Sequence, residues 1–245
     1  MAVDEFDSKL ANCIDRLGDI EFYAPFFRFM DGLADIDQYM VFEFSAVGRE
    51  AVCRLAHNVD NPDLGVKLAS MYTQGGFLQD DLLQQLQQQM LADPETTACQ
   101  ILAKRTLPAV YRKRFFNVPH FDSKFSILLA DRLSGHLFYI NFYSQNDTTF
   151  IEQVAEQLHL RRELIGAVLL KHFRLERSRR GALQNLLVAG LSEREAQICE
   201  LLLKGHTAKT IGQTLTLAEA TVVTYKKRAF SKLKIQRKSQ LLQLV

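Results

Sequence analysis

The chain has 245 residues, 47% hydrophobic and 24% charged, with a formal net charge of +2. That composition is ordinary for a globular protein, and no apolar run reaches the roughly 20 residues a membrane-spanning helix needs. The acidic start, MAVDEFDSKL, lacks the basic-then-apolar order of a secretory signal, so a cytoplasmic protein with no membrane partner is expected.

In chain order, Leu10, Cys13, Ile14 and Leu17 recur at helical spacing, and Pro25 can open a second helix carrying Phe26, Phe27, Met30 and Leu33. The period then changes. Met40, Phe42, Phe44 and Ala46 alternate with Tyr39, Val41, Glu43 and Ser45, the pattern of a half-buried strand. Gly48 marks a turn, and Ala51–Ala56 reads as the antiparallel return strand.

A helical middle follows. Pro62–Tyr72 carries Leu64, Leu68 and Met71, Gly75-Gly76 breaks it, and Leu78–Leu91 carries Leu82, Leu83, Leu86 and Met90 up to Pro94. Thr97–Ala103 is a candidate edge strand. The run Tyr111–Phe116, YRKRFF, fits a helix with an aromatic core side and a solvated basic side better than a nucleic-acid patch. Ser123–Ala130 and His136–Ser144 alternate around a Ser-Gly turn and form the clearest hairpin. From Thr149 the helical period returns, in one long helix or two joined near His159. Strands, helices, a hairpin and a closing helix describe an α+β domain built on an antiparallel sheet flanked by helices.

Charge divides the chain. Residues 177–245 hold 13 Lys and Arg against 4 Asp and Glu, a net of +9, whereas residues 1–176 hold 17 against 24, a net of −7. A basic end joined to an acidic one points to polyanion binding at the C-terminus and a separate regulatory part. Within that end, Ser192–Glu195 forms an S-x-x-E capping box, Gly205 supplies a left-handed stop, and Thr207–Leu215 is a short helix. Thr216–Glu219 is a further T-x-x-E box before Ala218–Leu233. On that last helix Val222, Ala229 and Leu233 face inward, while Val223, Lys227 and Ser231, with Thr224 beside them, form a stripe suited to base edges in the major groove. Arg237–Val245 closes an all-α four-helix helix-turn-helix module. The expected division is a regulatory or sensor domain at 1–177, a linker at 178–190 and a DNA-binding domain at 191–245.

Residues 191–241 resemble the LuxR-type helix-turn-helix of bacterial transcription regulators, matching at Leu191, Ser192, Arg194, Glu195, Leu202, Gly205, Thr207, Lys209, Ile211, Gly212, Leu215, Thr221, Val222, Lys232 and Leu233. The resemblance implies double-stranded DNA as partner, a homodimer, and RNA polymerase as a further partner. By resemblance and helix phase, Val223, Thr224 and Lys227 face bases, and Thr207, Lys209, Tyr225, Lys226 and Lys232 meet phosphates or backbone, with Thr221 beside them. Val223 stands where the family commonly has Lys, Tyr225 where it has His, and Ala218 where it has Ser. Scaffold packing is the alternative role for Tyr225.

The N-terminal part resembles the PAS/GAF-like regulatory domains of the same regulators through QYMVFEF, YTQGGFLQDDLL, YRKRFF and DRLSGHLFYINFY. In its acyl-homoserine-lactone receptors an Asp-Pro binds the lactone amide and tryptophans line the pocket; here Asp80 is followed by Asp81, and the chain has no Trp. It is thus not a typical lactone receptor. A small-molecule effector would meet Asp80 and the aromatics Phe42, Phe44, Tyr72, Tyr111 and Tyr139; helix capping and core packing are the alternatives for these residues. The widely spaced Cys13, Cys53, Cys99 and Cys199 include no C-x-x-C pair, and the histidines show no ligand-like spacing, so neither a metal nor a cofactor is expected. No G-x-S-x-G, H-E-x-x-H, P-loop or Rossmann fingerprint occurs, which argues against an enzyme. The remaining alternatives are a ligand-independent regulator under a protein partner's control and a response regulator, which would need an alternating α/β receiver.

Overall fold

A computed structural model describes residues 3–45, 50–93, 97–203 and 205–241, and the chain forms two compact units, Met1–Phe173 and Arg174–Val245. The expected strand end at Ala46, the turn at Gly48, the stop at Pro94 and the last residues from Leu242 lie outside the described residues.

The first unit is organised around a five-stranded sheet of order β2-β1-β5-β4-β3, antiparallel throughout. Its strands are β1 Gln38–Phe44, β2 Ala51–Asn58, β3 Ala98–Ala103, β4 Ser123–Ala130 and β5 Leu137–Ser144. Strand alternation sends side chains to two faces, and helices cover both. One face carries Tyr39, Val41, Phe125, Ile127, Phe138, Ile140 and Phe142. The same core takes residues from α1 Val3–Asp15, α2 Tyr23–Asp31, α6 Asp147–Gln153 and the start of α7 Arg162–Val188. The other face carries Met40, Phe42, Phe44, Leu128, Tyr139 and Tyr143. It joins residues of α3 Pro62–Thr73, α4 Asp81–Ala92 and α5 Ala109–Arg112. This is the antiparallel, helix-flanked PAS/GAF-like sheet expected from the sequence. One point differs: β1 is buried at all seven positions rather than on one face, because α1 and α2 fold over the side expected to face water.

Local chemistry sets the helix ends. Asn61 caps α3 through its side chain, with Pro62 in the first helical position. Gly75 adopts φ 120°, a short 3-10 turn follows over Gly76–Gln79, and Asp80 caps α4. Helix α4 therefore starts at Asp81, three residues later than Leu78. At Gly76 any Cβ would lie 2.6 Å from the Phe115 ring, so only glycine lets that ring close on the turn. In YRKRFF the chain passes from α5 into a π-turn, Lys113–Asn117; Tyr111, Phe115 and Phe116 are buried and Lys113 and Arg114 exposed, the helical reading of that run. The closing segment is two helices, α6 running on through a π-turn to Leu158 and α7 starting at Arg162. The stretch 178–190, expected as a linker, is helical as far as Val188, and no proline between 162 and 188 interrupts it. Burial pushes the Cys13 thiol up to about 12, and those of Cys53 and Cys199 up to about 11, so these thiols stay protonated near neutrality.

Candidate nucleic-acid interface

The second unit holds α8 Glu193–Leu203, α9 Ala208–Leu215, α10 Glu219–Lys232 and α11 Lys238–Leu241. Their common core contains Leu191, Ala196, Cys199, Leu202, Ile211, Val222, Ala229, Phe230 and Leu241. The expected capping box opens α8: the Ser192 N–H donates to Glu195 Oε2 at 2.8 Å, and the Glu195 N–H donates to Ser192 Oγ at 3.3 Å. Gly205, at φ 92°, closes that helix, with its N–H on Leu202 O and the His206 N–H on Leu201 O.

Thr207 and Thr210 form a reciprocal box at the start of α9, in which the Thr210 N–H donates to Thr207 Oγ1 at 3.2 Å and the Thr207 N–H to Thr210 Oγ1 at 2.8 Å. The second box expected at Thr216–Glu219 does not form. Thr216 instead takes a left-handed φ of 55°, and α10 starts behind Ala218 with no side-chain cap. The reason is the turn itself. Reversing the chain after Leu215 needs one left-handed residue, no glycine stands there, and the Leu217 N–H reaches back to Gly212 O at 2.8 Å. Gly212 is the other half of this arrangement, since a Cβ on it would lie 2.6 Å from Leu217 O. The backbones of α9 and the turn meet where only a hydrogen fits.

Helix α10 divides cleanly. Val222, Ala229 and Phe230 are buried, and Tyr225 and Leu233 pack against the core. On the opposite side Ala220, Val223, Thr224, Lys227, Arg228 and Ser231 are exposed, at the i, i+3, i+4, i+7 spacing of one stripe. The inferred base-facing residues Val223, Thr224 and Lys227 all lie on it. The Thr224 hydroxyl donates to Ala220 O at 2.9 Å, so it is engaged within its own helix.

The backbone-facing set is spread more widely. Thr207 and Lys209 are exposed on α9, and Thr221 is half-buried. Tyr225 sits in the scaffold, and the Lys226 ammonium lies over the Phe230 ring, 5.4 Å from its centroid. Lys232 donates to Glu195 Oε2 at 2.7 Å. The sequence reading had missed this pair. Burial of Glu195 pushes its carboxyl up, but the bonds from Lys232 and Ser192 outweigh that and hold it below the usual range.

In the first unit the six residues considered for an effector do converge. Phe42, Phe44, Tyr72, Asp80, Tyr111 and Tyr139 are all buried in the core between the sheet and α3, α4 and α5. Their polar atoms are already engaged. Asp80 Oδ1 accepts the Leu83 N–H at 3.3 Å. Its Oδ2 accepts Tyr72 OH at 3.0 Å, Tyr111 OH at 3.0 Å, Tyr139 OH at 3.2 Å and Lys124 Nζ at 2.9 Å. Lys124, a lysine on a strand position that reads as ordinary alternation, is the participant sequence reasoning did not find. Among the described residues no group of three His, Cys, Asp or Glu could hold a metal ion, and no helix is long and apolar enough to cross a membrane.

Three short helices with a glycine-tight turn and an exposed cationic stripe on the third define a helix-turn-helix DNA-binding domain. Residues 189–245 match the family model described as bacterial regulatory proteins, luxR family, and form a domain of that family. No curated protein matches the chain. Among solved structures, the ligand-binding domain of VqsR from Pseudomonas aeruginosa is similar at a TM-score of 0.50 and 15% identity, over 70% of this chain and 98% of that one. CepR2 from Burkholderia cenocepacia, described as an N-acylhomoserine lactone dependent LuxR family transcription factor, is similar at 0.51 and 10% identity, over 71% of this chain and 98% of that one. At these identities the likeness shows the fold alone: the N-terminal part shares its fold with the VqsR ligand-binding domain, and residues 189–245 that follow match the luxR family.

Proposed function

We propose that the protein is a sequence-specific transcription regulator that binds operator DNA as a symmetric homodimer. Residues 1–177 form its regulatory part and set dimer geometry, and residues 191–245 dock on DNA. The exposed stripe of α10, inside a unit that matches the luxR family, carries this reading. Each α10 enters a major groove, and the two half-sites are centred about one helical turn apart. Val223 contacts a thymine methyl, Lys227 donates to guanine O6 or N7, and Thr224 adds an apolar contact through its methyl group. Thr207, Lys209, Thr221 and Lys226 approach phosphates, while Tyr225 and Lys232 hold α10 in place. The net charge of +9 over residues 177–245 favours this docking, and the −7 over residues 1–176 keeps that part off the phosphates. RNA polymerase is the partner through which bound regulator alters transcription.

Selecting bound sequences from random duplex DNA with the full chain tests the proposal. A twofold-symmetric motif is the expected result, and enrichment of no motif would contradict it.

A further inference from the structure

The Asp80 cluster has the chemistry of a cation site. Lys124 is 0% exposed and Asp80 1%, yet both are charged types that interiors exclude unless paired. The Lys124 ammonium lies 2.9 Å from Asp80 Oδ2 and 3.0 Å from Tyr139 OH. Three aromatic rings surround it, with centroids at 5.3 Å for Tyr139, 5.7 Å for Tyr111 and 6.0 Å for Tyr143. A carboxylate at one side and several aromatic faces around it is how proteins hold alkylammonium ligands. Here the four-carbon stem of the ligand is part of β4.

The parts of the cage come from distant places. Tyr72 ends α3, Asp80 caps α4, Tyr111 lies on α5, and Lys124, Tyr139 and Tyr143 lie on β4 and β5. One buried carboxylate thus ties α3, α4 and α5 to the sheet. We propose that this face holds an alkylammonium site, built by Asp80, Tyr72, Tyr111, Tyr139 and Tyr143, which the chain fills itself with Lys124, so that the N-terminal domain assembles without a diffusible effector. The regulatory consequence rests on the transcription-regulator reading: operator binding is then independent of any small molecule in this core, and control comes through protein contacts or concentration. The cage itself does not depend on that reading.

The test uses the full chain. Wild type is unfolded in denaturant, refolded in buffer free of small molecules, and assayed for melting temperature and binding to the selected operator. Full recovery of the melting transition is expected; refolding only when cell extract is added would overturn the proposal. Recovery of melting without recovery of operator binding would overturn the effector-independence claimed here, whereas a never-denatured chain that binds no operator would sink the regulator reading alone.

Lys124→Ala removes the atoms that n-propylammonium can replace. Its N-terminal transition should fall by about 10 °C and rise again in millimolar n-propylammonium but not in 1-propanol, while wild type responds to neither. Equal rescue by both compounds, or by neither, would overturn the cage. Lys124→Met keeps most of the volume and guards against a variant that fails to fold. The gap between its melting temperature and that of wild type should narrow from pH 7 to pH 4, as the unpaired Asp80 takes up a proton. A gap that is absent or independent of pH would overturn the proposal.

Discussion

The ammonium of Lys232, in the last turn of α10, lies 2.7 Å from Oε2 of Glu195, the same oxygen that receives the Ser192 N–H at the start of α8. The carboxylate that closes the α8 capping box therefore also anchors the far end of the helix that carries the exposed cationic stripe. The bond ties the last turn of α10 to the first turn of α8.

For Lys232→Gln the expected result is a less stable C-terminal domain whose operator affinity keeps nearly the wild-type salt slope. A double-mutant cycle with Glu195→Gln should give a coupling of about 0.5–1 kcal/mol. Because Glu195 titrates below the usual carboxylate range, its contribution is full above an unfolded-state value of about 4.3 and is lost as pH falls through the folded value. Chemical denaturation of wild type and variant between pH 7 and pH 3 checks this: the difference should shrink on acidification.

The turn between α9 and α10 makes opposite predictions for two neighbouring substitutions. Gly212→Ala drives a methyl group into Leu217 O and should destabilise the domain by about 1–3 kcal/mol. Thr216→Gly relieves a β-branched residue from a left-handed φ of 55° and should stabilise it by up to about 1 kcal/mol. Thermal melts of the two variants decide between this account and one in which Thr216 is a helix cap, where its loss would destabilise.

The T-x-x-E pattern at Thr216 was misleading because a capping box and a left-handed turn draw on overlapping residue types. Only the chain reversal after Leu215, a tertiary demand, selects between them. By contrast, the two faces of β1, β4 and β5 could be seen in the alternation of Met40-Phe42-Phe44 with Tyr39-Val41 and of Phe125-Ile127 with Ser126-Leu128, since strand parity is local. Burial of both faces could not, because it depends on where α1 and α2 travel. The outer stripe of α10 followed from helical phase. Lys124 stayed hidden for a physical reason: a lysine is exposed by default, and the partner that makes it an interior residue lies 44 positions away.

Lys226 is expected to act on DNA in general. Its ammonium can leave the Phe230 ring for a phosphate, since a half-buried cation–π contact contributes only about 1–2 kcal/mol. Lys226→Ala should weaken binding alike on operator and unrelated duplex. It should also lower the slope of log affinity against log salt by about 0.9. Titrations across a salt series check both values.

The central claim is that the Val223–Lys227 stripe reads sequence. Affinities of wild type and Lys227→Ala for every single-base variant of the selected operator test it most directly. The account predicts a loss of about 1–3 kcal/mol on the best operator and a matching loss of preference at one base pair in each half-site. An equal loss on all sequences, with every preference retained, would contradict it.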